Sequence, residues 1–175
     1  VSVLYELAMK DEIELHFASD NLAITSSISA TEKFHFGINL NLAKYYSDAI
    51  SDNVKRAYEQ KLRKGEWIGS ARIGYINIVS DNGTKDIVPD PERAHFIPKI
   101  FEYYIAGTSI KLLSLRLKKE GLRTKNNKPL STSMVHKVLR DSFYYGVMVV
   151  KGKEYPHKYQ PLISYNLFLK VQEVM

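Results

Sequence analysis

From Ala30 to Lys64 the sequence keeps one helical rhythm. Ile38, Leu42, Tyr45 or Tyr46, Ala49 or Ile50, Val54, Tyr58 and Leu62 return every three to four residues. Unbroken, Thr31 to Lys64 would extend about 50 Å at a rise of about 1.5 Å per residue. Ser51-Asp52-Asn53 is its weak point, because Ser and Asp favour caps over helix interiors; two shorter helices are the alternative. An apolar stripe this long cannot bury itself against one small domain. It calls either for a second helix, such as the same helix of another copy, or for cover from its own chain.

The rest of the chain has to supply what surrounds that helix. Its 175 residues suffice for one ordinary domain or two small ones. At 45% hydrophobic it is expected to pack a core. The absence of cysteine excludes disulfides and Cys-type zinc or redox sites, and fits a reducing, cytoplasmic setting. No apolar run approaches the roughly 20 residues of a membrane span, so no membrane partner is expected. The opening VSVLYELAMKDEIELHF lacks the basic start of a signal peptide. It begins without Met on helix-like sequence, and reads as a piece of something longer.

Charge is unevenly spread. Residues 1–60 carry five Lys+Arg against nine Asp+Glu, whereas residues 61–140 carry sixteen against seven. A basic block on an ordinary globular chain points to a polyanion, most often nucleic acid, the plain alternative being a solvated face.

Short elements flank the long helix. Val1–Lys10 reads as the end of a helix, Asp11–Ser19 as a short buried strand on Ile13, Leu15 and Phe17, and 20–29 as turn and cap residues. Gly65 stops the long helix. RIGYINIV and DIV around SDNG predict a hairpin. Asp90-Pro91-Glu92 predicts a helix N-terminus, with a kink or late start at Pro98. Thr108-Ser109 caps a helix with Leu112, Leu113, Leu115 and Leu117 inward, ended by Gly121. After the basic loop LRTKNNKPL, Ser131 or Thr132 caps a helix with Met134, Val135, Val138 and Leu139 inward. FYYGVMVV then reads as a strand, and Ser164 opens a last helix.

No catalytic constellation stands out. There is no phosphate loop, the five histidines are scattered, and the paired carboxylates sit where caps explain them. What remains is a binding pattern. Lys61, Arg63, Lys64 and Arg72 can neutralise phosphates. Gly65, Gly69 and Gly74 let the backbone come close to a groove. Ser131, Thr132 and Ser133 begin a helix suited to a groove, Lys137 and Arg140 add charge to it, His136 shares its surface, and Arg123, Lys125 and Lys128 flank it. Trp67 reads as a plug over the junction, the alternative being a ring laid along a sugar-phosphate wall.

In combination, ISDNVKRAYEQKLRKGEWIG…IGY, VPDPERAHFIPKIFEYYIAGTSIKLLSLRLKKEGLRT, STSMVHKVLRDSFYYGVMV and His157 followed by PLIS resemble the large serine recombinases over about residues 45–175. The resemblance implies an α+β, mostly helical fold: a long dimerisation-type helix leading into a small helical DNA-binding domain with short strands. Residues 1–64 would be the end of the catalytic domain with the long helix, 65–72 a linker arm, and 73–175 the recombinase domain. Arg56, Lys61, Arg63 and Lys64 would cross the minor groove, and the Ser131–Arg140 helix would read the major groove. The partners implied are double-stranded DNA and, in the full-length protein, a homodimer or tetramer. The family joins a serine hydroxyl to a DNA 5′ phosphate without metal or nucleotide, so no cofactor is expected. The family's Tyr-x-Arg-x-Ser type motif has no match here, so this chain is expected to bind and not to cut. Where the family usually shows Asn, this chain has Asp141, an acid unfavourable beside a phosphate. The competing reading is a protein–protein oligomerisation module with an incidental basic surface.

Overall fold

The computed structural model describes residues 2–18, 22–81 and 83–175, and the chain divides into two units at Lys55/Arg56. In the first unit, helix α1 (Ser2–Met9) is followed by antiparallel strands β1 (Leu15–Phe17) and β2 (Leu22–Ile24), paired from Leu15–Ile24 to Phe17–Leu22. β2 occupies part of the stretch read as turns, and β1 is half-buried rather than buried. Ser19, within the predicted strand, lies outside the described residues. Helix α2 (Ala30–Arg63) then runs 34 residues without a break, through Ser51–Asn53 and across the division between the units.

Ser29 and Glu32 fix where α2 begins. The Glu32 N–H donates to the Ser29 hydroxyl at 3.2 Å, and the Ser29 N–H donates to the Glu32 carboxylate at 3.0 Å. This is a reciprocal cap, and the Ser29 hydroxyl, donating to the Glu32 carboxylate at 2.6 Å, and then the Ser29 N–H hold that carboxyl below its usual value. Ala8, Ile24, Ile28 and Phe36 form this unit's core, with Tyr5 stacked on Phe36 at 5.7 Å. Between Phe36 and Leu62 the stripe lies open: Ile38, Leu42, Tyr45, Ile50 and Val54 are exposed, whereas Leu62 is buried in the second unit's core.

In the second unit, β3 (Tyr75–Val79) and β4 (Lys85–Pro89) form the expected hairpin. Helices α3 (Phe96–Ile105), α4 (Ile110–Lys119) and α5 (Thr132–Arg140) come next, then a 3-10 turn at Ser142–Tyr145, strands β5 (Val147–Val150) and β6 (Lys153–Pro156), and helix α6 (Tyr165–Val174). Asp90 organises a turn before α3 rather than capping it. Its carboxylate accepts from the Glu92 N–H at 2.9 Å and pairs with Arg93 at 3.0 Å. α3 starts late, at Phe96, which leaves Pro98 in its first turn where no amide hydrogen is needed. FYY of the predicted strand is instead the 3-10 turn. Asp141 caps it through the Phe143 N–H at 3.1 Å, and Gly146, at φ 118°, ends it in a conformation other residues rarely adopt.

Ile97, Ile100, Phe101, Leu113, Leu117, Val135, Leu139, Phe143 and Val171 are fully buried in one core. Each contributes on the order of 1.5–3 kcal/mol by leaving water. Of the four leucines expected inward on α4, only Leu113 and Leu117 are. Leu112 and Leu115 are 59% and 50% exposed. Residues four apart share a helix face, and positions one before Leu113 or two before Leu117 turn away from it. Met134, in the first turn of α5, is also exposed.

Candidate nucleic-acid interface

Helix α5 is held from both ends and from beneath. The Ser131 hydroxyl accepts from the Met134 N–H at 3.3 Å. Just before it, the Leu130 carbonyl accepts from the Ser114 hydroxyl of α4 at 2.6 Å. At the other end, the Gln172 amide of α6 donates to the Leu139 carbonyl at 2.7 Å. With Val135, Val138 and Leu139 buried, the opposite side of the helix is presented outward.

A cleft lies on either side of that face. One, of about 500 Å³, is lined by Arg72, Tyr75, Arg93, Lys125, Lys128, Ser131 and Met134 among others. The second, of about 390 Å³, is lined by Arg72, His136, Lys137, Arg140, Asp141, Ser142 and Val149. Arg72 belongs to both. Nine of the sequence-predicted residues meet around α5: Arg72, Lys125, Lys128, Ser131, His136, Lys137 and Arg140 in the clefts, and Thr132 and Ser133 exposed on the first turn. The loop before α5 is built to carry its lysines. The Thr124 N–H donates to the Lys128 carbonyl at 2.8 Å, the Asn127 N–H donates to the Thr124 carbonyl at 2.9 Å, and Asn127 takes a left-handed φ of 57°.

Other predicted residues lie elsewhere. Arg123 turns back on the end of α4, donating to the Lys118 and Leu122 carbonyls at 2.9 Å each. Arg63 pairs with Glu59 at 2.8 Å, and Arg56 and Lys64 are exposed on or just after α2. Lys61 lines a third cleft with Glu66, Trp67, Asn77, Lys85 and Asp86.

The arm after α2 is folded onto its own unit. The Trp67 N–H donates to the Tyr159 hydroxyl at 2.8 Å, its indole N–H donates to the Ser70 carbonyl at 2.9 Å, and its ring meets Phe143 edge-on at 5.6 Å. Trp67 is therefore the plug the sequence suggested. The Gly65 carbonyl accepts from the Lys158 N–H at 3.1 Å, and a Cβ on Gly65 would come within 2.9 Å of that nitrogen. The close approach of Gly65 is thus to the chain's own backbone, and that of Gly74 to Ile97 and Leu162. Lys158 also pairs with Asp86 at 3.1 Å and Glu66 at 3.6 Å, tying arm, hairpin and post-β6 segment together.

Arg72 ends the arm. Its guanidinium carbon lies 4.3 Å from the Trp67 ring centre, and its Nε is 2.9 Å from the Asp141 carboxylate. The Nε hydrogen is not aimed at that oxygen, so the contact is ionic rather than a hydrogen bond. Burial first, then the charge of Asp141, push the hydroxyls of Tyr144 and Tyr75 above their usual value; they donate to the Ile73 and Gln160 carbonyls. Arg93, Thr124 and Asn126 line the larger cleft without having been singled out in the sequence. The run of polar residues between Gly121 and Ser131 was the available signal for the last two. Among the described residues no group of three His, Cys, Asp or Glu could hold a metal, and no helix is long and apolar enough to cross a membrane.

Residues 91–175 match the family model described as Recombinase. The fold is similar to that of a chain in a crystal structure of an LSR–DNA complex, at TM-score 0.56 and 23% identity, covering 70% of this chain and 37% of that one. It is similar to a second, from work on the sequence requirements of the Listeria innocua prophage attP site, at TM-score 0.56 and 24% identity, covering 70% of this chain and 50% of that one. The chain thus spans half or less of each of these two solved chains. No curated protein matches it.

Proposed function

We propose that this chain binds double-stranded DNA as the DNA-holding part of a site-specific recombination protein of the large-serine-recombinase family; the match of residues 91–175 to the Recombinase family model and the likeness of the fold to a chain of an LSR–DNA complex support the reading. In this reading α5 enters the major groove, with Thr132 and Ser133 toward base edges. Arg72, Lys125 and Lys128 take phosphates on one side of it, and Lys137 and Arg140 on the other. Arg56, Lys61, Arg63 and Lys64 meet the backbone near the end of α2, and Arg123 holds the basic loop in shape. Residues 1–64, 65–72 and 73–175 then serve as catalytic-domain end with long helix, arm and DNA-binding domain. The open stripe of α2 suits a second copy, in a dimer or tetramer of the full-length protein acting in the cytoplasm. Strand cutting would use a serine that this chain does not contain.

One observation carries the reading: the outward face of α5 lies between two clefts that share Arg72 and are rimmed by cations. The test is a fluorescence-anisotropy titration against random duplex DNA at several salt concentrations. With the cations around α5 and those at the end of α2 on phosphate, about nine counting Arg72, the log–log slope should reach up to about −8. Absence of binding at low salt, or binding indifferent to salt, would leave α2-driven assembly as the function.

A further inference from the structure

We propose that Asp141 is an internal counter-charge that holds Arg72 away from phosphate and so trims the sequence-independent part of DNA binding. The proposal rests on the DNA reading above and adds a brake to it. Both oxygens of the Asp141 carboxylate are engaged: Oδ1 accepts from the Phe143 N–H at 3.1 Å, and Oδ2 lies 2.9 Å from Arg72 Nε. A guanidinium and a backbone N–H are the donors that a DNA phosphate takes. Asp141 thus engages, by charge and by hydrogen bond, two groups of the kinds a phosphate uses. Among the described residues it is the only acid lining a cleft that otherwise presents Arg72, Lys137 and Arg140.

The two partners are not equally fixed. Asp141 is the cap of the 3-10 turn, and Phe143 and Tyr144 beneath it are buried. Arg72 is a long side chain at the end of the arm, 37% exposed, resting on Trp67 and lining both clefts. Its guanidinium can turn toward an incoming phosphate, while the carboxylate cannot follow. Each phosphate contact through Arg72 therefore competes with an ion pair already formed. Phosphate contacts carry no base information, so weakening one lowers affinity for all sequences alike and leaves base contacts a larger share of the total. Asp141 is a positioning residue, acting through Arg72.

The test compares the wild-type chain, D141N, R72A and the double variant on random duplex DNA across a salt series. Asn keeps an oxygen for the Phe143 N–H and removes only the charge. D141N is expected to bind roughly three- to tenfold more tightly at low salt, with a slope steeper by about one. The double variant should bind no better than R72A. A D141N that binds equally or more weakly overturns the proposal. So does a gain that survives in the R72A background, because Asp141 would then act as bulk charge. Failure of the wild-type chain and D141N alike to bind would remove the DNA reading and this proposal together. If D141N melts early, D141S, which retains a cap oxygen, decides the same question.

Discussion

The hydroxyl of Tyr159 accepts a hydrogen bond from the backbone N–H of Trp67 at 2.8 Å, across ninety-two positions of sequence. Tyr159 is only 7% exposed, so this bond is shielded from water. Tyr159→Phe keeps the ring and strands a partly buried amide, which costs about 1–3 kcal/mol. Because Trp67 is the only tryptophan, the effect has a private reporter. The variant should melt at lower temperature, with a red-shifted Trp67 emission that appears before the main transition.

Ser131, Thr132 and Ser133 are neighbours with different duties. Only the Ser131 side chain caps α5. Ser131→Ala should lower stability by about 1 kcal/mol. Thr132→Ala and Ser133→Ala should stay within about 0.5 kcal/mol of the parent and weaken DNA binding in a sequence-dependent way. Denaturant melts and anisotropy on the same proteins separate the two effects.

The leucines of α4 divide as sharply. Leu117→Ala removes a fully buried side chain and should cost about 2–5 kcal/mol. Leu115→Ala, at a half-exposed site, should cost less than about 0.5 kcal/mol. Equal losses in urea melts would mean that Leu115 is covered in solution.

Lys128 and Arg123 flank the same loop, yet Lys128 lines the larger cleft whereas Arg123 turns back on the end of α4. Lys128→Ala should weaken binding to all DNA sequences and make the salt slope shallower by about 0.9. Arg123→Ala should chiefly lower thermal stability, by about 1 kcal/mol for its lost carbonyl contacts.

Alkali should act through Tyr144. Burial, and then Asp141, raise its hydroxyl well above the usual value, and the neutral form donates to the Ile73 carbonyl. Above a pH of about 10 the unfolded chain loses that proton while the folded chain keeps it. Stability present below that pH is therefore lost as pH rises further. Tyr144→Phe, already lacking the hydroxyl, should show a flatter decline in melting temperature between neutral and strongly alkaline pH.

Much of this was legible in sequence because local chemistry dictated it. The period of α2, the Ser109 and Ser131 caps, the start at Ser164 and the stop at Gly121 all declare themselves within a few residues. Cations near Ser131 were visible as composition. Their division between two clefts was not, because it depends on Arg72 arriving from sixty residues earlier. The Arg72–Asp141 and Lys158–Asp86 pairs were equally hidden, being contacts across the fold. Leu112 and Leu115 misled because four leucines in six positions exceed what one helix face can bury.

Helix α6 has a bearing on how such proteins can be recombined with one another. Val171 is fully buried in the shared core, and Gln172 holds the last turn of α5. α6 is therefore a structural part of the second unit and not a spacer. A chimera that grafts a different C-terminal segment onto this unit can keep its fold only if the junction lies beyond Val174. A junction at the Lys158–Ser164 loop would instead unseat the α5 helix it was meant to preserve.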